Sequence, residues 1–99
     1  MARTPIHPGE VLKEELRELG LSANALALAL HVPANRISQI LKGQRNVTAD
    51  SALRLAQYFG TTPEFWLNLQ KSYELRLAER RSGKAIRRSV KPLKESQAA

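Results

Sequence analysis

The residues from Ser22 to Gly43, Ser-Ala-Asn-Ala-Leu-Ala-Leu-Ala-Leu-His-Val-Pro-Ala-Asn-Arg-Ile-Ser-Gln-Ile-Leu-Lys-Gly, constrain the chain more than any other stretch. They read as two short helices joined by a tight turn. Ser22 is a good N-cap, and Leu21 with Leu26 has the spacing of a hydrophobic staple. The Ala/Leu alternation that follows has the period of a strand. Alanine and leucine are nevertheless among the strongest helix formers, and alanine is depleted in strands. As a helix, the segment sets Leu26, Ala27 and Leu30 on one side and leaves Leu28 partly outward. Ala27 offers the small surface that lets a second helix approach. His31-Val32-Pro33 is the turn: His31 stands where a left-handed residue is needed, Val32 packs inward and Pro33 starts the next helix.

At about 100° per residue, Ile37, Ile40 and Leu41 cluster on one side of that next helix and face a core. Asn35, Gln39 and Lys42 lie opposite, with Arg36 and Ser38 on the flanks. This is the layout of a helix-turn-helix, in which the first helix braces and the second enters the DNA major groove. Asparagine and glutamine can bond adenine through two hydrogen bonds, and arginine can do the same with guanine. Asn35, Arg36, Ser38 and Gln39 are therefore the candidates for base contact. No acidic residue occurs between Ser22 and Val47, whereas an ordinary solvated surface mixes signs. Ser22, Asn24, Lys42, Arg45 and Asn46 are the candidates for holding phosphates, which set register without reading sequence.

On the N-terminal side, residues 1–6 are expected as a loose arm, either a frayed terminus or one whose Arg3 reaches DNA. His7-Pro8 opens a first helix, with His7 a cap or loop residue and Pro8 at the first helical position; Val11, Leu12, Leu16 and Leu19 make its apolar stripe, and Gly20 stops it. On the C-terminal side, Thr48 caps a fourth helix with Asp50 at its positive end, and Ala52, Leu53, Leu55, Ala56 and Phe59 give it a broad apolar face. Gly60 ends it, and Thr62-Pro63-Glu64 opens a fifth helix. Along the fifth helix Phe65, Trp66, Leu69, Tyr73 and Leu77 recur at three- and four-residue spacing. Phe65 and Trp66 are expected to pack inward. Trp66, Leu69, Tyr73 and Leu77 are the dimer-interface candidates, because large apolar side chains left over in so small a domain favour a partner surface. Ser82-Gly83 is expected to break the helix, leaving residues 80–99 as a basic, flexible tail: a phosphate clamp, a partner-binding segment or a solubilising end.

The net charge of +7 belongs mainly to that tail. Residues 80–99 hold seven cations against Glu95, while residues 1–79 hold nine basic and eight acidic side chains. Within the body the signs still segregate, with Glu10, Glu14, Glu15 and Glu18 on the first helix against Lys13 and Arg17, and Arg36, Lys42, Arg45 and Arg54 in residues 34–54 against Asp50. The absence of cysteine excludes disulfides and thiolate metal sites, and two histidines are too few for an ordinary zinc site, so no metal or cofactor is expected. No apolar run has the length of a membrane span, which makes a cytoplasmic protein without a membrane partner the default. No nucleophile–base set, paired-carboxylate cleft or glycine-rich phosphate loop is present, so an enzyme is not expected.

Three segments, His7-Pro8-Gly9-Glu10-Val11-Leu12, the Ser22–Gly43 unit and Pro63-Glu64-Phe65-Trp66-Leu67-Asn68-Leu69-Gln70, together resemble the HigA antitoxin family, some of whose members are labelled virulence-associated protein I. That family is part of the wider lambda-repressor-like (Cro/CI, XRE) helix-turn-helix group. The resemblance covers about residues 6–79. It implies an all-α, five-helix domain that forms a homodimer through its C-terminal helix. It also implies repression of its own operon on double-stranded operator DNA and neutralisation of a HigB-like toxin that cleaves messenger RNA on the ribosome. In the wider group the positions matching Asn35, Arg36, Gln39 and Lys42 face the operator. His31 stands where the turn commonly has glycine, and the basic tail matches no family motif.

The expected organisation is thus an arm over 1–6, a DNA-binding and dimerisation domain over 7–79 and a tail over 80–99. The expected function is sequence-specific repression by an antitoxin. A stand-alone regulator without a toxin, and a protein-interaction module using the acidic first helix, are the alternatives.

Overall fold

The computed structural model describes residues 5–93 and contains five helices: α1 (Pro8–Leu19), α2 (Ala23–Leu30), α3 (Ala34–Leu41), α4 (Ala49–Phe59) and α5 (Pro63–Ser89). Arg3 lies outside the described residues. The caps are those the sequence spells out. The Ser22 hydroxyl accepts from Ala25 N, Thr48 from Ser51 N and Thr62 from Phe65 N. Gly20 and Gly60 end α1 and α4 in the left-handed conformation. His7 caps α1 with its ring rather than with a hydroxyl: Nδ1 accepts from Gly9 N at 2.9 Å. Pro33 is the cap of α3 and not its first residue.

The core gathers Leu12 and Leu16 from α1, Leu26, Ala27 and Leu30 from α2, Ile37 and Ile40 from α3, Ala52, Leu55 and Ala56 from α4, and Trp66 from α5, with Val47 from the α3–α4 loop. Two close approaches position the helix-turn-helix within it. Ala27 is buried where α2 meets α3, as its small side chain allows. Gly9 lies so near the C-terminal turn of α3 that any Cβ there would overlap the Ile40 carbonyl.

Four expectations are overturned, three about packing and one about the length of a helix. Leu53 is 60 % exposed and Phe65 44 % exposed, so neither joins the core. Trp66 packs inward as expected, at 1 % exposure with its indole N–H donating to Thr61 Oγ1 at 2.9 Å, and that burial removes it from the dimer-interface candidates. The buried stripe of α4 is narrower than its composition suggests, comprising Ser51, Ala52, Leu55 and Ala56 with Phe59 at its edge. Leu28, by contrast, projects outward as expected, at 78 % exposure.

The fourth difference is the length of α5, which passes straight through Ser82-Gly83 and ends at Ser89. One glycine in a helix costs only about 1 kcal/mol, and strong helix formers surround this one. Its missing side chain also leaves a trough into which Glu79 folds, reaching Arg87 two turns further on with Nη2–Oε2 at 2.7 Å. At about 1.5 Å per residue α5 is roughly 40 Å long, and it accounts for the elongated 54 × 24 × 23 Å outline.

Candidate nucleic-acid interface

The turn between α2 and α3 is built on His31, at φ 60° and ψ 47°. Its N–H donates to Leu28 O at 3.2 Å, and Val32 N donates to Ala27 O at 3.0 Å, which closes α2 in the manner glycine usually allows. Histidine pays a conformational cost there that glycine would not. The free end of α2 gains a further partner from α4: Arg54 Nη1 donates to Leu30 O at 2.8 Å.

Arg54 is one link in a chain of contacts that the sequence did not disclose. Its Nε donates to Asp50 Oδ2 at 2.9 Å, and the same oxygen accepts from Arg36 Nη1 at 2.6 Å. Hydrogen bonds from Arg54 first, then Arg36, hold the Asp50 carboxyl below its usual range. The last turn of α2, the start of α4 and the first turn of α3 are thereby tied together. Two consequences follow for the surface. The carboxylate that stands beside the reading helix is neutralised twice over. Arg36, expected as a free base-reading side chain, is instead half-buried and held against α4. The i,i+4 spacing of Asp50 and Arg54 was visible in the sequence, whereas the Arg36 contact spans fourteen residues and was not.

The remaining base-contact candidates lie together on α3. Asn35 is exposed, Ser38 and Gln39 are half-buried, and Ser38 Oγ donates to Asn35 O at 3.3 Å. Gln39 Oε1 accepts from Arg45 Nε at 2.8 Å, so a candidate reader and a candidate phosphate ligand on the α3–α4 loop form one unit. Lys42, Arg45 and Asn46 are exposed at the C-terminal end of α3, and Ser22 and Asn24 at the start of α2. The Ser22 hydroxyl oxygen is already engaged as the α2 cap, which leaves its O–H to donate outward.

The α3–α4 loop is held from behind by two residues whose place in the site spacing alone did not reveal. Gln70 of α5 is buried, and its Oε1 accepts from Val47 N at 2.8 Å while Nε2 donates to Glu74 at 2.9 Å. His7 is buried against Gly43 and meets the Tyr73 ring edge-on at 4.8 Å. Burial lowers the His7 pKa despite the opposing pull of the Arg45 backbone and Glu10. Of the dimer-interface candidates on α5, Leu69, Tyr73 and Leu77 are half-buried. Leu75, not singled out from the sequence, is well exposed.

A braced two-helix unit, a second helix free of acidic residues whose neighbouring carboxylate is paired, and a fixed loop carrying Arg45 beside it define a DNA-binding helix-turn-helix domain. The family model described as helix-turn-helix (HTH_3) matches residues 12–66. Virulence-associated protein I of Dichelobacter nodosus is 57 % identical over 75 residues, which cover 75 % of this chain and 69 % of that protein. The structure of an addiction module antidote protein of the HigA family from Coxiella burnetii superposes with a TM-score of 0.91 at 56 % identity, covering 92 % of this chain and all of that one. Pseudomonas aeruginosa antitoxin HigA, solved with the higBA promoter, gives a TM-score of 0.87 at 47 % identity over 90 % of this chain and 98 % of that one. The chain belongs to the HigA antitoxin family of helix-turn-helix proteins.

Proposed function

We propose that this protein is the antitoxin of a type II toxin–antitoxin module, a homodimer that represses its own operon and neutralises an RNA-cleaving toxin. The observation that carries the DNA half of the reading is the α3 surface: Asn35 and Gln39 outward, Lys42 and Arg45 beside them, and Asp50 silenced by Arg36 and Arg54. The HigA relative solved with its promoter supports the same reading. Asn35, Ser38 and Gln39 read base edges, with Arg36 joining them on release from Asp50. Ser22, Asn24, Lys42, Arg45 and Asn46 hold phosphates. The parts of Leu69, Tyr73 and Leu77 that stay open to solvent form the dimer face of α5, and the dimer sets two copies of α3 about 34 Å apart, one turn of DNA. Repression is steric, through occupation of the promoter.

The test is fluorescence anisotropy on a duplex from the protein's own promoter and on a scrambled duplex, with Gln39→Ala beside the wild type. Preference for the promoter, lost in the variant while circular dichroism is unchanged, is the expected result. Equal affinity of the wild type for both duplexes would overturn the reading. For the toxin half, co-expression with the product of the adjacent gene should rescue growth; a neighbouring gene whose product is harmless alone would leave a stand-alone regulator.

A further inference from the structure

The second half of α5 has a property that neither the fold nor the proposed repressor function uses. At about 100° per residue, Leu69, Gln70, Tyr73 and Leu77 lie within about 60° of the direction in which Trp66 points; from Trp66 to Tyr73 this sector packs against the body, and at Leu77 it is half-open. Carried forward along the same helix, that sector holds Arg80, Arg81, Lys84, Arg87 and Arg88. Every cation of residues 80–89 falls within it, and all five are exposed. Leu75, Ser82 and Ile86 lie on the opposite side. A merely solvated helix would distribute its charges around the axis. Here the side that is apolar over the body turns wholly cationic where the helix leaves the body.

The direction of this sector is fixed by its contacts. At Gln70 it bonds Val47 of the α3–α4 loop, and at Tyr73 it meets His7, which lies against Gly43 of the same loop. The loop carries Arg45, the phosphate-holding candidate already tied to Gln39. The sector therefore runs on from the loop over the sixteen residues after Tyr73, to Ser89, roughly 24 Å at the helical rise, its cations beginning at Arg80. Glu79, the acid that adjoins these cations, is occupied by Arg87.

We infer that the Arg80–Ser89 segment is a second DNA-binding element, a rigid cationic arm that lies along the sugar–phosphate backbone beyond the base pairs read by α3. The inference rests on the operator-binding reading above. The arm contributes no base contacts: Arg80, Arg81, Lys84 and Arg88 neutralise phosphates, with Arg87 held by Glu79, and thereby add affinity, salt dependence and site length without adding sequence preference.

The experiment measures binding of the full chain to its promoter duplex and to a scrambled duplex across a salt series. The variant Arg80→Gln/Lys84→Gln/Arg88→Gln keeps good helix formers and leaves the Glu79–Arg87 pair intact. Its affinity should fall at least tenfold on both duplexes alike, and the slope of log affinity against log salt should become shallower by about 0.9 for each phosphate that the arm no longer neutralises. Glu79→Gln, which frees Arg87, should steepen the slope. Trimming the promoter duplex to the base-read segment should abolish the difference between wild type and triple variant. An unchanged slope in the triple variant overturns the inference. So does a loss that sedimentation traces to a weakened dimer, which would place the arm on the acidic α1 of a second copy. A wild type without promoter preference would instead refute the repressor reading, so the two failures are distinguishable.

Discussion

Gly9→Ala is the most demanding test of how the reading helix is held. The added methyl would overlap the Ile40 carbonyl oxygen and sit 2.9 Å from its carbon, with His7 Nδ1 at 3.1 Å. None of these can move cheaply. The carbonyl belongs to the backbone of α3, and the imidazole is fixed by its bond to Gly9 N and by burial against Tyr73. Overpacking against side chains costs about 1–3 kcal/mol, and an obstacle made of backbone belongs at the upper end, about 3 kcal/mol. For a domain of this size each kcal/mol lowers the melting temperature by about 4–8 °C, giving a fall of roughly 12–24 °C by circular dichroism. Gly20→Ala supplies the contrast: nothing lies within 4 Å of a Cβ there, but φ is +64°, so only the left-handed penalty of about 1–2 kcal/mol applies. If Gly9→Ala melts no lower than Gly20→Ala, the contact between α1 and α3 is not the steric constraint described.

Gln70→Leu should cost about 1–3 kcal/mol by urea titration, because the Val47 N–H loses its buried partner; promoter affinity should fall with it as the loop loosens, while restoring the amide with Gln70→Asn should not suffice, the shorter side chain failing to reach. Asp50→Asn should raise affinity for scrambled DNA and lower the preference for promoter, since both arginines lose their carboxylate. Because the folded-state pKa of Asp50 is depressed, the stability it contributes is present above the ordinary carboxylate range and is lost as pH falls through the folded value; the variant should lack that acid-side loss. His7 is depressed as a base, so the unfolded chain takes up a proton first: stability is intact above about pH 6.5 and declines below it, and His7→Asn should flatten the urea midpoint over pH 5–7.

The elements were legible wherever a local rule determines them. Ser22, Thr48 and Thr62 bond backbone N–H groups three residues ahead, and Gly20 and Gly60 stop helices at once, so caps and boundaries follow from short spacing. What was not legible depends on neighbours distant in sequence. Trp66 and Phe65 are adjacent aromatics with the same propensity, and only the placement of α4 beneath α5 decides that one is buried and the other open. The same holds for Arg36, whose partner Asp50 is one helix away. Ser82-Gly83 misled for a different reason: a helix-breaking dipeptide is weak beside 25 other helical residues, and the Glu79–Arg87 pair uses the space a side chain would have filled.

The paired Arg36 bears on how such a surface discriminates between sequences. An arginine held at 2.6 Å by a carboxylate is oriented before DNA arrives, but it must give up that bond, or share it, to reach a base. Phosphates nearby bring negative charge that competes with Asp50 for the guanidinium, and Arg54 remains to satisfy Asp50 if Arg36 leaves. Release is therefore favoured only where a base offers two well-placed acceptors, as guanine does in the major groove. Elsewhere the ion pair persists and the side chain adds nothing. Arg36→Ala should then weaken binding to the promoter far more than to scrambled DNA, whereas Lys42→Ala should weaken both equally. Equal losses for Arg36→Ala on the two duplexes would mean that the arginine serves only to join α3 to α4.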